Sequence, residues 1–333
     1  KKKIVGLLSK RRNQIKNKNI FLKKIIKDVK KNGDKSILKY EKRFNKNKFI
    51  LPNKKTNNKN ILGLDSKIKK AINLAYERIL KFHSLQKFNN ISYQDKLKNK
   101  LNYKYLPINS VGIYVPGSSV SYPSTVLMNA IPAIVAGVKR IVMVNPGKKG
   151  ILDPAVLYAA KKCNISEINS IGGPAAIAGL AYGTKKIKKV DKIVGPGNIY
   201  VTSAKKEVFG EVGIEGMIAG PSEVTVVGDK YSNPEWVASD LIGQAEHDEL
   251  AQCILITKSD ALLNNVNKCL TAQLKNLPRS KTAKKSLSTN GILIKVNTDK
   301  DIISIVNKIA PEHLELNIKN HKKISNKIIN AGS

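Results

Sequence analysis

Alternating β-rich runs and helical stretches predict an α/β protein of two doubly wound, three-layer units with parallel-rich sheets. Three observations carry that expectation. The strands read as continuous apolar runs, such as "VGIYV" (111–115), "RIVMV" (140–144) and "QCILIT" (252–257), as expected when both faces of a strand are covered. Helical stretches separate them at the spacing of right-handed crossovers between parallel strands. Glycine-rich turns sit where strands hand over to helices.

Taken in order, "IFLKKIIKDVKK" and "DKSILKYEKRF" predict two short helices, broken at Asn32-Gly33 by a glycine C-cap. A third helix covers 66–86, with Ile68, Ile72, Leu74, Ala75, Ile79 and Leu80 expected on its packed side. From Val111 the pattern runs strand 111–115, helix 124–138, strand 140–146, helix 151–163, strand 167–171, helix 175–184, strand and turn 190–198 and helix 199–209. After Gly220-Pro221 a second series follows: strand 223–229, helix 233–247, strand 252–257, helix 259–277, strand 291–296, helix 299–310 and strand 313–318. Residues 20–110 show no sheet of their own. They are expected to pack onto this later series, which makes the central unit an insertion between two halves of one domain.

The chain has 333 residues, 41% hydrophobic and 5% aromatic, enough to bury aliphatic cores. No run reaches the ~18 apolar residues of a membrane span, and the apolar part of "KKKIVGLLSKRRNQ" is too short for a signal-peptide core. Cys163, Cys253 and Cys269 have no metal-like spacing, so a reducing cytoplasm is expected. The formal charge of +36 points first to nucleic acid. Its distribution points away: residues 111–250 hold 14 Lys and Arg against 13 Asp and Glu, and the excess lies in Lys-, Asn- and Ile-rich flanks. Arg and interleaved aromatics, which nucleic-acid surfaces recruit, are scarce there. The lysines read as solvated faces, and neither a nucleic-acid nor a membrane partner is expected.

Three strand–turn–helix junctions carry small residues: "PGSS" (116–119), "GGPAA" (172–176) and "GPGN" (195–198). In an open parallel sheet, ligands sit at the carboxyl ends of strands, where helix N-termini offer free N–H groups to a phosphate. Each turn also suits a purely structural role. "AGPSEV" (219–224) joins the two units and makes Ser222 a candidate polar contact or merely part of a hinge. In "DLIGQAEHDEL" (240–250), Gln244 and His247 share a helical face. They read either as a metal-binding carboxamide and imidazole or as a polar helix end. In "APEHLELN" (310–317), Glu312 and His313 are adjacent before a strand. They suit either divided proton chemistry or an incidental polar junction. His83 and His321 read as surface residues.

The order of these motifs is more specific than any one of them. "VGIYVPGSSVSYPSTVLMNAIPAIVAGVKRIVMV", "VDKIVGPGNIYVTSAKKEVFG", "GMIAGPSEVTVVGD", "DLIGQAEHDELAQCILIT" and "APEHLELN" together resemble the histidinol dehydrogenase family from about residue 25 onward. The resemblance implies a zinc- and NAD-dependent homodimer that oxidises L-histidinol, through the aldehyde, to L-histidine in the last step of histidine biosynthesis. It implies a discontinuous first domain, 1–113 plus 223–333, carrying the zinc and catalytic residues. An inserted Rossmann-like domain, 114–222, forms the NAD side. The implied roles are NAD contact for Tyr114 and Asn198, and substrate contact for Ser222, Gln244, His247 and His313. Gln244 and His247 are the implied zinc ligands, and Glu312 and His313 the implied catalytic acid/base pair.

Two residues depart from the family pattern. Ala175 stands in "GGPAA" where the family has a glutamine that contacts NAD, and Ser118 stands for the second glycine of "PGG". The family also continues beyond "IINAGS" into a dimerisation tail that supplies an aspartate and a histidine to zinc. On that resemblance the chain as given is expected to be an incomplete, inactive fragment. A related zinc- and NAD-dependent dehydrogenase of another small primary alcohol, such as a sulfonated diol, is the alternative reading.

Overall fold

The computed structural model describes residues 19–47, 52–53, 61, 63–117, 121–147, 150–215 and 222–333. Among them the chain divides into two compact units, one within 19–215 and the other within 222–333.

The first unit opens with helices α1 (Asn19–Asn32) and α2 (Asp34–Asn45), separated by Gly33 at φ +54°. A short strand β1 (Pro52–Asn53), helix α3 (Ser66–Ser84) and a hairpin, β2 (Ile91–Gln94) and β3 (Lys100–Tyr103), follow. The alternating series is β4 (Ser110–Tyr114), α4 (Pro123–Ala136), β5 (Arg140–Val144), α5 (Pro154–Lys162), β6 (Glu167–Asn169), α6 (Gly173–Tyr182), β7 (Lys192–Val194), α7 (Ile199–Glu207) and β8 (Gly213–Ile214). Helix starts follow local chemistry. Asp65, Asp153 and Asn198 each accept a hydrogen bond from the backbone N–H two residues on, and proline stands in the first turn of α4, α5 and α6.

The strand order is β1-β6-β5-β4-β7-β8, parallel except for β1. One face is covered by α1, α2, α6 and α7, where Ile25, Ile26, Val29 and Ile37 pack on the alanine-rich α6. The other face is covered by α3, α4 and α5 through Ile72, Val126, Leu127, Ile131 and Val156.

This arrangement corrects one expectation. Residues 20–110 were expected to join the later series, but α1, α2 and α3 cover the central sheet. The small side chains of α6 let the large residues of α1 and α2 pack directly against it, with Ile37 close to Gly179. The same residues do contain a sheet, the β2–β3 hairpin. On α3, Ile72 is buried as expected, whereas Leu74 and Ile68 are exposed. The amino-terminal part of the proposed discontinuous domain, residues 1–15, lies outside the described residues.

The second unit consists of β9 (Glu223–Gly228), α8 (Pro234–Ala245), β10 (Gln252–Thr257), α9 (Asp260–Gln273), α10 (Ser280–Asn290), β11 (Ile292–Lys295), α11 (Asp299–Ile309), β12 (His313–Asn317) and α12 (His321–Ser325). Its four strands are all parallel, in the order β11-β10-β9-β12. Helices α8, α9 and α10 cover one face, and α11 covers the other. Both units therefore have the predicted α/β architecture with mostly parallel sheets.

Cys163 and Cys253 are buried and Cys269 is half-buried, all three as free thiols. Burial pushes the Cys163 thiol up to about 12, and the Cys253 S–H donates to the Leu241 carbonyl. No helix among the described residues is long and apolar enough to cross a membrane.

Candidate functional site

In the first sheet the chain winds outward from β4 in both directions, to β5 on one side and to β7 on the other. That reversal opens a crevice beyond the carboxyl ends of the strands. A cavity of about 420 Å³ lies there, reached by Tyr114 at the end of β4, the Gly172–Ala175 turn after β6, Asn198 after β7, and Phe21, Tyr40, Glu41 and Phe44 from α1 and α2. Two glycines hold its walls close. A Cβ on Gly172 would stand 2.5 Å from the Pro146 side chain. One on Gly195, at φ +101°, would stand 2.2 Å from the Tyr114 carbonyl oxygen.

Tyr114 is 5% exposed, and its hydroxyl accepts the Gly173 N–H at 3.1 Å. Burial pushes the phenol up to about 12, so it stays protonated with a hydrogen to donate. Asn198 uses its carboxamide oxygen to cap α7, accepting the Tyr200 and Val201 N–H groups, both at 3.1 Å. Its amide N–H groups remain to offer a ligand. Ala175 lies buried in the first turn of α6 and presents only a methyl to the cavity.

The phosphate expectation changes at two of the three turns. At α6 the Gly172 N–H donates to Glu41 Oε1 at 2.7 Å and the Gly173 N–H to Tyr114. At α7 the cap is Asn198 itself. Each helix start thus has most of its N–H groups engaged within the protein. In the third turn, Ser118 and Ser119 lie outside the described residues.

Sequence reasoning missed two buried charged side chains here. Glu41 is 1% exposed. Burial pushes its carboxyl above the ordinary range, opposed by hydrogen bonds from the Gly172 N–H and the Asn45 and Asn47 side chains. Lys205 is also 1% exposed. Its Nζ donates to the carbonyls of Gly195 and Glu215, which ties down the turn ahead of Asn198. Burial pushes its pKa down to about 8. In "YEKRF" and "SAKKE" both look like solvated charge.

In the second unit the predicted residues gather at the opposite edge of the sheet. Ser222 immediately precedes β9, and its carbonyl accepts the N–H of Gln252, the first residue of β10. Helix α8 runs back along the sheet, so Gln244 in its last turn and His247 just beyond it also lie at the strands' amino ends. The helix stops at Ala245, but a turn in which the His247 N–H donates to the Gln244 carbonyl keeps the two together. Gln244 is half-buried and His247 exposed. Glu312 and His313 open β12, where His313 is in register with Val224. Glu312 Oε2 accepts the Glu223 N–H at 3.2 Å, and its Oε1 stands 3.9 Å from His313 Nε2. The other ring nitrogen, Nδ1, meets the Ser333 hydroxyl at 2.8 Å.

Further along the same face of β12, burial and the neighbouring Asp240 carboxylate push the Glu315 carboxyl up. Sequence inspection missed this pair as well, because "DLIG" and "HLEL" carry no signal that they meet. His83 and His321 lie away from both clusters, His83 against Gln86. The carboxyl edge of this sheet, by contrast, is laced shut. The Ser232 hydroxyl donates to the Asn317 carbonyl and accepts the Asp229 N–H, and the Asp229 carboxylate accepts the Lys319 N–H.

The donor chemistry of Gln244 and His247 suits zinc, but two donors fall short of the three that a catalytic zinc keeps. Among the described residues no group of three or more His, Cys, Asp or Glu is placed to hold a metal. For NAD the fit is better: the first unit's cavity has aromatic walls for a planar base and polar groups at Tyr114, Asn198 and Glu41.

Comparison with known proteins converges on one family. The family model for histidinol dehydrogenase matches residues 8–333. A histidinol dehydrogenase of Pelagibacter ubique is 71% identical over 332 residues, covering all of this chain and 78% of that relative. One from Acinetobacter baylyi is 45% identical, covering 93% of this chain and 73% of the relative. The crystal structure of histidinol dehydrogenase from Elizabethkingia anophelis superposes with a TM-score of 0.89 at 35% identity, covering 97% of this chain and 77% of that one. The chain belongs to the histidinol dehydrogenase family, oxidoreductases of histidine biosynthesis.

Proposed function

We propose that this chain carries the nucleotide cavity and the proton-transfer groups for the NAD- and zinc-dependent oxidation of L-histidinol, through L-histidinal, to L-histidine. The observation that supports this best is the convergence of Ser222, Gln244, His247, Glu312 and His313 on one sheet edge. Tyr114 and Asn198 would hold NAD, which would supply the hydride acceptor. Gln244 and His247 would be two of the ligands of a zinc ion, which would supply Lewis acidity toward the amino alcohol.

The chain's own residues then divide the proton work. His313 presents an exposed ring and takes the hydroxyl proton as the alcohol is oxidised. Glu312, one oxygen fixed by the Glu223 N–H, turns the other to activate the water that adds to the aldehyde. Ser222 hydrogen-bonds the substrate. To test this, NADH formation from L-histidinol is measured on the chain extended with the remaining residues of the Pelagibacter ubique relative. H313N and E312Q each lower the rate by about 10²–10⁴-fold and leave nucleotide affinity unchanged. Retained activity in both variants refutes the assignment. Titrating the 333-residue chain with zinc gives weak binding that His247→Ala abolishes; tight binding insensitive to that change removes His247 from the site.

We also propose that two copies associate in the cytoplasm. On the β2–β3 hairpin, Ile91 faces Tyr103 and Tyr93 faces Leu101 across the strands, and all four are exposed. An isolated two-stranded ribbon is marginal in water, and its open apolar face suits a second copy. Sedimentation shows a dimer that the double variant Tyr93→Lys, Leu101→Lys splits; a monomeric native chain rules this out.

A further inference from the structure

Among 60 Lys and Arg residues in the chain, none lines the first unit's cavity among the described residues. The charged group there is acidic. Glu41 is 1% exposed yet reaches the cavity wall. Three protein donors reach the carboxylate: the Gly172 N–H at 2.7 Å on Oε1, the Asn45 amide at 2.9 Å on Oε2, and the Asn47 side chain. A carboxylate accepts about four hydrogen bonds, which leaves one acceptor position for a ligand. The start of α6, which elsewhere would attract a phosphate, is already taken by Glu41 and Tyr114. Arg43 lies over the Phe21 and Phe44 rings and is not part of the lining. This corner therefore accepts hydroxyl donors beside a planar ring and opposes a second anion.

Resting on the nucleotide reading above, we propose that Glu41 is the specificity-determining residue that reads the adenosine ribose. It accepts the 2′-hydroxyl and excludes a 2′-phosphate, so the site takes NAD and rejects NADP. The same preference is built in other dinucleotide sites from an acidic residue at the ribose. Here it comes from a helix outside the alternating strand–helix series.

The test is calorimetric titration of the native chain at about 0.15 M salt, where stray attraction to surface lysines is screened. The probes are 5′-AMP, 2′-deoxyadenosine 5′-monophosphate and adenosine 2′,5′-bisphosphate. Loss of the hydroxyl is expected to weaken binding about tenfold, and the added phosphate to weaken it by about tenfold or more. In Glu41→Gln, which keeps an acceptor for the Gly172 N–H, the bisphosphate penalty shrinks to about threefold or less. Equal binding of all three probes by the native chain overturns the inference, as does an undiminished bisphosphate penalty in E41Q. The native-chain comparison needs no variant to fold. If 5′-AMP itself does not bind, the nucleotide reading fails and takes this inference with it. If 5′-AMP binds without discrimination, only the role of Glu41 falls.

Discussion

The two mostly parallel sheets share a topological reversal and treat it oppositely. In the first, the strands on either side of β4 diverge over an open cavity with aromatic walls. In the second, the equivalent place beyond β9 and β12 is laced by Ser232, Asp229, Asn317 and Lys319, and the candidate chemistry sits at the other edge. Strand order alone thus offers a crevice. Whether a ligand can use it depends on where short polar side chains in the loops find their hydrogen bonds. The open crevice keeps its helix starts satisfied by Glu41, Tyr114 and Asn198. The polar cluster at the amino edge of the second sheet keeps an exposed imidazole.

Substitutions can break this contrast from either side. Gly195→Ala is expected to have the largest effect, since its Cβ meets the Tyr114 carbonyl at a positive φ. A loss of about 3–5 kcal/mol in urea denaturation and failure to bind nucleotide are expected. Wild-type-like stability would show that the turn relaxes freely.

Lys205→Met probes the tie beneath the same turn through its pH dependence. The folded pKa of about 8 lies below the ordinary 10.5, so the unfolded chain binds the extra proton between those values. The native protein therefore gains stability from this group as pH rises through about 8, by about 2 kcal/mol between pH 7 and 10. The methionine variant lacks that gain. A stability difference between the two proteins that stays flat from pH 7 to 10 contradicts the burial of the charge.

Ser232→Ala loosens the closed edge of the second sheet. A loss of about 1–2 kcal/mol is expected, with faster amide exchange at Asp229, whose N–H loses its acceptor. Unchanged exchange there would mean that the lacing does not close the edge.

The strand–helix alternation was legible because β4, β5 and β10 are continuous apolar runs and proline or an Asx residue marks the helix starts. The partner of α1 and α2 was not, because an amphipathic period says that a face is buried without saying against what. Helix α10 went unread because "SKTAKKSLSTN" turns only Ala283 and Ser286 fully inward. The candidate residues named from motifs were readable because glycine turns and an adjacent Glu-His pair are local features. Glu41, Lys205 and the Asp240–Glu315 contact were not, since their character comes from burial by residues far along the chain.

The cysteines have a practical corollary. One thiol is silenced by its surroundings and a second is engaged with a carbonyl, which leaves Cys269, partly open on α9, as the natural point of attachment for a thiol-directed dye. The unmodified protein thus carries its own labelling site on the second unit, away from the cavity lined by Tyr114 and Asn198.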